Sequence, residues 1–113
     1  MQKILRLTKK SDFQETYHKG MASKNKFMVL IALKKENSGK TRVGYSLSKR
    51  LGTAVERNRT KRLLREVFKS KETKVKRGYD ILIVARLPIK GKSFVETRDA
   101  LVDVLKRAGL EEI

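Results

Sequence analysis

The sequence predicts one α/β domain over residues 1–113, an α+β sandwich of helices on a small mixed β-sheet. Three observations indicate this fold class. The length of 113 residues suits a single domain. Apolar residues recur at helical spacing in three segments and form buried or alternating runs in three others. The resulting order is helix, strand, strand, helix, strand, helix, which is typical of helices packed against one short sheet.

The first helix is predicted over residues 12–19. Ser11 and Gln14 have the spacing of a capping box, in which a Ser or Thr and a Glu or Gln three residues later satisfy free amides at a helix start. Phe13 and Tyr17 are four residues apart and therefore share one face of this helix. Gly20 is placed to end it.

Two strands are predicted next. Residues 27–35 are nearly all apolar, as in a fully buried strand, and residues 41–48 alternate between large apolar and polar or small side chains. The residues between them, 36–40, read Glu-Asn-Ser-Gly-Lys and have the composition of a hairpin loop.

The remaining elements are a helix, a strand and a helix. Thr53 with Glu56 and Ser93 with Glu96 repeat the capping-box spacing, so helices are expected from residue 53 to about 70 and from residue 93 to about 108. Between them, residues 79–86 form an apolar run. It stops before Pro88, which lacks the amide that a strand ladder requires.

Composition limits what the protein can do. Twenty-nine Lys and Arg residues against twelve Asp and Glu residues give a net charge of +17, so nucleic acid is the expected class of partner. With no cysteine and one histidine, thiol catalysis and a zinc site are excluded. The longest apolar run, residues 27–33, is too short to span a membrane, and the first ten residues alternate basic and apolar side chains where a secretion signal needs an apolar stretch. We expect a cytoplasmic protein without a small-molecule substrate.

The helix predicted after Thr53 carries the densest positive charge. From Lys49 to Arg77 there are twelve basic and three acidic residues, which is +9 of the total +17. On a helical wheel, one arc is mainly apolar and a neighbouring arc is basic. The apolar arc holds Thr60, Leu63, Leu64, Val67 and Phe68; the basic arc holds Asn58, Lys61, Arg62, Arg65 and Lys69, with Arg57 at the seam. Arg forks and an Asn amide favour a folded RNA as partner, although spacing leaves DNA open.

The same region resembles a known family. Its residues are Arg42-Val43-Gly44-Tyr45-Ser46-Leu47-Ser48-Lys49-Arg50, then Gly52 and Ala54-Val55, then Arg57-Asn58-Arg59-Thr60-Lys61-Arg62-Leu63-Leu64-Arg65-Glu66. A strand and basic turn followed by an Arg-Asn-Arg motif on a helix is similar to the signature of the bacterial ribonuclease P protein family. Further matches are Asp12-Phe13, Gly20, Asn25, Ala85-Arg86 and Pro88. The resemblance covers nearly the whole chain.

The resemblance implies a ribosomal protein S5 domain 2-like fold with a left-handed β-α-β crossover, an exception to the usual right-handed rule. It also implies a protein subunit of ribonuclease P, an endoribonuclease that removes the 5′ leader of precursor tRNA to give the mature 5′ end. In that family the RNA subunit is the catalyst and binds most of the Mg²⁺. The implied partners are therefore the catalytic RNA and precursor tRNA.

The resemblance implies two sets of RNA-contacting residues. It implies no catalytic residue in the protein. Contacts to the catalytic RNA would come from Lys49, Arg50, Arg57, Asn58, Arg59, Lys61, Arg62 and Arg65. A cleft for the leader would be lined by Phe13, Tyr17, Val29, Ile31 and Arg86. Ile31 stands where the family has an aromatic residue, so apolar contact is expected there. Without the resemblance, the Phe13 and Tyr17 pair is typical of a helix core.

Three other functions stay open on the sequence. A ribosomal or general RNA-binding protein without a role in tRNA processing shares the small size and high charge but would lack the strand-turn-helix signature. A DNA-binding helix-turn-helix module would be mainly helical. A protein nuclease would need converging carboxylates for Mg²⁺, whereas the twelve acids are dispersed without metal-ligand spacing, so no protein metal site is expected.

Overall fold

The computed structural model of the chain describes residues 5–35 and 39–112. In chain order, the elements are β1 (Leu5–Arg6), α1 (Lys10–Lys19), β2 (Met21–Lys24), β3 (Met28–Lys34), β4 (Arg42–Ser46), α2 (Ala54–Ser70), β5 (Tyr79–Ala85) and α3 (Phe94–Arg107), with 3-10 turns at Lys49–Leu51, Glu72–Lys74 and Leu87–Ile89. The six predicted elements are all present, and the mixed α/β class is confirmed. No helix in the described ranges is long and apolar enough to cross a membrane.

Two short edge strands, β1 and β2, are absent from the sequence prediction. β1 has two residues and β2 has four mostly exposed ones, so neither is long enough to show a strand period. Their pairing makes them strands. Leu5 and Arg6 pair in parallel with Arg42 and Val43, and β2 pairs antiparallel with β3.

The five strands form one mixed sheet in the order β1-β4-β5-β3-β2. β5 is antiparallel to β3 and parallel to β4, and it separates them. The hairpin suggested by residues 36–40 is therefore wrong; residues 36–38 lie outside the described ranges. Burial explains why β5 lies between β3 and β4. Its side chains are mostly apolar on both faces, and the centre of the sheet is where both faces are covered. The unit β4-α2-β5 is the implied parallel crossover, and its left hand stays a prediction.

The main core lies between one face of the sheet and the helices α2 and α3. The sheet contributes alternate residues of β3 and β5, such as Leu30 and Ile83, which are fully buried. The helices contribute Leu64, Val67, Phe68, Leu101, Val104 and Leu105. The apolar arc predicted for the basic helix therefore faces the core, and its basic arc is directed away from it.

The capping boxes at the starts of α2 and α3 are confirmed. The Thr53 hydroxyl accepts a hydrogen bond from the Glu56 N–H at 3.2 Å, and the Thr53 N–H donates to the Glu56 carboxylate at 3.0 Å. Ser93 and Glu96 repeat this exchange at 3.1 and 3.2 Å. The donated backbone hydrogen bond is the main reason that the pKa of each glutamate lies below its ordinary value.

α1 differs from its prediction at both ends. It begins at Lys10 with no side-chain cap, so Ser11 lies inside the first turn and the Ser11–Gln14 capping box is wrong. Gly20 follows the helix with a φ of −75°, not the left-handed value of a typical glycine cap. Glycine is needed because an added Cβ would lie 2.6 Å from both the Ile31 Cγ2 and the Thr16 carbonyl oxygen. The close packing of the helix end on β3 therefore explains why a glycine occupies position 20.

Candidate nucleic-acid interface

α2 presents an exposed face of positive charge. Asn58, Arg59, Arg62 and Arg65 are exposed, while Arg57 and Lys61 are half-buried at the edges of this face. Every ion pair in the described part of the chain uses a cation outside α2. Those cations are Lys19, Lys35, Arg42, Lys90, Lys92, Arg98 and Arg107. The α2 cations therefore have no acidic partner among the described residues and are available to an external anion.

The turn before α2 adds two more cations. The Ser48 hydroxyl accepts a hydrogen bond from the Arg50 N–H at 3.2 Å and starts the 3-10 turn. Leu51 is buried and anchors this turn, whereas Lys49 and Arg50 are exposed. Gly52, with a φ of 122°, makes the change of direction into the helix that side-chain-bearing residues rarely adopt. Lys49 and Arg50 therefore adjoin the basic face of α2.

Two recesses flank this face. One, of about 320 Å³, is lined by Val55, Asn58, Arg59 and Arg62 on α2 itself. The other, of about 240 Å³, lies at the β1 and β4 edge of the sheet and is lined by Arg6, Leu7, Thr8, Phe13, Val43, Gly44, Tyr45, Lys61 and Arg65. Burial raises the pKa of Tyr45, so its hydroxyl stays neutral beside those cations. Neither lining contains an Asp or Glu, and both recesses suit an anion.

α1 covers part of the opposite face of the sheet and borders the half-buried strip of that face where the leader cleft is expected. Phe13 is half-buried against β4, where a Cβ added at Gly44 would lie 2.6 Å from its ring. Glycine at this position therefore makes room for the ring. Tyr17, one turn later, is 60% exposed, and its ring meets that of His18 edge-on at 5.4 Å between centroids. The two aromatic residues thus differ, since Phe13 packs on the sheet and Tyr17 faces solvent.

The floor of the cleft is a row of four residues that crosses the sheet. Lys24 pairs with Val29, Val29 with Val84, and Val84 with Ser46. Residues paired in this way share a face, and Val29 shares its face with Ile31, two residues on, which meets the end of α1. Ile31 is only 6% exposed. Val29, which is half-buried, therefore offers the accessible apolar surface that was expected of both residues.

Arg86 lies at the rim of this floor, directly after β5. Its Nη1 donates a hydrogen bond to the Asn25 carbonyl oxygen at 2.9 Å. Asn25 is itself fixed, because its side-chain amide donates to the Ala100 carbonyl at 2.8 Å and its Oδ1 accepts from the N–H groups of Phe27 and Met28 at 3.0 and 3.1 Å. Arg86 is therefore exposed and yet oriented by a fixed acceptor.

A network of charged contacts lies beside the expected cleft and was not predicted from the sequence. The Nε and Nη2 of Arg42 donate to both carboxylate oxygens of Asp80 at 2.8 and 2.6 Å, and its Nη1 donates to Asp12 at 3.2 Å. The hydrogen bond to Asp80 raises the pKa of Arg42. A second pair joins Glu15 to Lys35 and lowers the pKa of Glu15. In the sequence, a sign of this network is Asp80, an acidic residue inside the apolar run of β5. The residue that pairs with Asp80 depends on strand register, which spacing along the chain does not show.

The described residues do not fit a protein-held magnesium ion. No group of three or more His, Cys, Asp or Glu residues within 5–35 and 39–112 could hold a metal. Asp12 and Asp80 do converge, but they converge on the Arg42 guanidinium, which already neutralises them. A magnesium ion there would have to displace a bidentate cation.

Comparison with known proteins settles which family has this geometry. The family model described as Ribonuclease P matches residues 1–109. This chain belongs to the ribonuclease P protein family. The ribonuclease P protein components of Bacillus cereus strains B4264 and G9842 are each 35% identical to it over 113 residues, which is 100% of this chain and 98% of each relative.

Solved structures of ribonuclease P proteins share the fold. The Staphylococcus aureus RNase P protein superposes with a TM-score of 0.86 at 36% identity, over 96% of this chain and 98% of that one. The RNase P protein from Thermotoga maritima superposes with a TM-score of 0.82 at 27% identity, over 90% of this chain and 96% of that one. The resemblance found in the sequence is confirmed, and by family the chain is a ribonuclease P protein subunit.

Proposed function

We propose that this ribonuclease P protein binds the catalytic RNA through α2 and the turn before it, and binds the 5′ leader of precursor tRNA in the cleft beside α1. The whole chain, residues 1–113, acts as a single RNA-binding domain. The holoenzyme is an endoribonuclease that removes the leader, with its catalytic centre in the RNA subunit. The protein then works in the cytoplasm, together with its RNA partners.

The observation that carries this proposal is the row of unpaired cations on α2. Acidic partners neutralise some of the cations on α1, α3 and the sheet, whereas no cation of α2 has an acidic partner among the described residues. Such a row repels itself unless a polyanion neutralises it. Arg62 and Arg65 can clamp phosphates with two parallel N–H groups, and Asn58 can donate and accept hydrogen bonds at ribose or base edges.

The cleft supports the second half of the proposal. Surfaces that bind single-stranded nucleic acid combine aromatic rings for stacking with cations for the backbone. Here Tyr17 presents an exposed ring, Val29 and Val84 form an apolar floor, and Lys24 and Arg86 stand exposed at the rim. Because stacking depends little on base identity, such a cleft suits leaders of different sequence.

Magnesium enters the proposal through the RNA. Since the described side chains do not fit a metal, phosphates of the catalytic RNA are proposed to hold the Mg²⁺ that hydrolysis needs. The protein contributes positive charge near those phosphates, which lowers the concentration of Mg²⁺ needed to neutralise them.

Reconstitution with a bacterial ribonuclease P RNA at low Mg²⁺ tests this function. Added protein is expected to increase cleavage of precursor tRNA. The reconstituted enzyme is also expected to bind precursor tRNA more tightly than mature tRNA, which has no leader. A general RNA-binding protein would raise both affinities equally. Equal affinities would therefore contradict the leader-binding role, and failure to bind the catalytic RNA would contradict the whole proposal.

A further inference from the structure

α1 is held to the sheet by charged contacts on one flank only. At about 100° per residue, Asp12 and Glu15 lie on one flank of the helix and Tyr17 lies on the other. Phe13 and Thr16 lie between them and face the sheet, where Thr16 is fully buried. The flank that carries the charged contacts is thus opposite the flank that borders the cleft.

The charged contacts hold the Arg42 side chain and α1 in a defined position relative to the sheet. Asp80 is 1% exposed and accepts two hydrogen bonds from Arg42, which sets the plane of the guanidinium. The third contact of that guanidinium reaches Asp12 in the first turn of α1. One turn later, Glu15 pairs with Lys35 at the end of β3. The helix is therefore tied at two successive turns to the sheet.

The cleft flank has no such contacts. Neither Gln14 nor Tyr17 makes a side-chain hydrogen bond to another described residue, and Tyr17 is mostly exposed. Between the flanks, the Phe13 ring rests where Gly44 leaves space. The rotation of α1 about its own axis is therefore set by the charged flank together with the packing of Phe13, Thr16 and Gly20 on the sheet. That rotation also decides how far the Tyr17 ring stands from the Val29 and Val84 floor.

We infer that Asp12 and Arg42 are positioning residues for leader recognition. They hold α1 at the rotation that keeps Phe13 and Tyr17 over the cleft floor, and they do not contact RNA themselves. This inference rests on the proposed function, because it assigns a role to residues behind the proposed leader site.

The direction in which Asp12→Asn changes tRNA affinity distinguishes a positioning role from a simple effect of charge. Asp12→Asn removes a negative charge near an RNA-binding surface. If charge alone mattered, the variant would bind both precursor and mature tRNA more tightly. If Asp12 positions α1, the variant binds precursor tRNA more weakly and leaves binding of mature tRNA unchanged.

The experiment compares holoenzymes reconstituted with a bacterial ribonuclease P RNA. The variants are Asp12→Asn and the control Asp99→Asn, which removes an equal charge from an exposed site on α3. We expect Asp12→Asn to lose at least about fivefold of the preference for precursor over mature tRNA, the size of one lost base stack. Assembly with the catalytic RNA and the preference of Asp99→Asn are expected to match the unmodified protein. The nuclear Overhauser contact between the Phe13 ring and Gly44 is expected to weaken in Asp12→Asn alone.

An unchanged preference in Asp12→Asn, or tighter binding of both tRNAs, overturns the inference. If the unmodified holoenzyme itself shows no preference, it is the leader-binding function that fails, and the two failures are thereby distinguished. Should circular dichroism show Asp12→Asn unfolded at the assay temperature, Glu15→Gln replaces it. That variant releases the second contact of the same flank, and the same loss of preference is required of it.

Discussion

At the scale of single residues, the position of a cation determines its role. Arg62 on α2 and Arg107 on α3 are both exposed, but Arg107 pairs with Asp103 at 3.0 Å and Arg62 has no acidic partner among the described residues. Exposed ion pairs contribute little to stability. An unpaired cation in a basic row instead retains its full charge for an external phosphate. The two arginines therefore form a matched pair for mutagenesis.

Arg62→Gln is expected to weaken binding of the catalytic RNA about tenfold or more, the size of a lost charge-assisted hydrogen bond. The dependence of log affinity on log salt should become less steep by about 1, because one phosphate contact is lost. Arg107→Gln should change neither quantity. Binding isotherms at several salt concentrations measure both, and circular dichroism checks that each variant is folded. Equal losses in the two variants would contradict a specific role for α2.

The two aromatic residues of the cleft should respond differently to substitution by Leu. Tyr17→Leu removes an exposed ring, so the melting temperature should stay the same while affinity for precursor tRNA falls about fivefold or more. Phe13→Leu removes a ring that packs at Gly44, so the melting temperature should fall as well. Affinity for mature tRNA should be unchanged in both. A loss that is equal for precursor and mature tRNA would place leader contact elsewhere.

At the scale of elements, the helices differ in what holds them. α2 and α3 start at their own capping boxes, which local sequence supplies. α1 has no side-chain cap and depends on the sheet for its position, through the Arg42 and Lys35 contacts and the close approach at Gly20. The helices that bear the core are thus locally encoded, and the helix that borders the cleft is held by tertiary contacts.

The capping boxes predict a pH dependence. Because the pKa values of Glu56 and Glu96 are lowered in the folded protein, their contribution is present above the ordinary value of 4.5 and is lost as pH falls through the lowered values. The double variant Glu56→Gln, Glu96→Gln cannot ionise at these sites. Its melting temperature should therefore fall less than that of the unmodified protein between about pH 5 and about pH 2.5. Identical slopes of melting temperature against pH would contradict this role of the boxes.

At the scale of the whole molecule, net charge opposes folding and favours binding. A charge of +17 on 113 residues produces self-repulsion in the compact state. Residues 49–77, which include α2, hold +9 of that charge, and none of the α2 cations pairs with an acid among the described residues. Salt screens both the repulsion and the attraction for RNA, so it should act on the two processes with opposite signs.

Raising potassium chloride from about 0.05 M to about 0.5 M should raise the melting temperature of the free protein, because repulsion is screened. Over the same range, affinity for the catalytic RNA should fall, with log affinity against log salt sloping at about −3 or steeper. Differential scanning calorimetry and binding isotherms measure the two effects. A melting temperature that falls with salt would show that the ion pairs outweigh the repulsion, and a slope near zero would contradict electrostatic binding.

Features that depend only on neighbours along the chain could be predicted from the amino-acid sequence. The box at Thr53, the apolar arc with Leu64 and Phe68, and the exposed basic arc of α2 follow from helical spacing, which is fixed by local geometry. The strand-turn-helix signature identified the family for the same reason, since its residues are contiguous. These local patterns predicted six elements and the basic half of the candidate interface.

The pairing of the strands and the contacts beneath α1 could be known only from the folded structure. The central place of β5, the burial of Ile31, the acceptor of Arg86 and the meeting of Asp12 with Arg42 join residues at least ten positions apart. Spacing along the chain carries no information about such pairs, because a strand has two edges and several partners of similar apolar character. The choice among them is made by total burial and by pairing of charges, which exist only once the chain is folded.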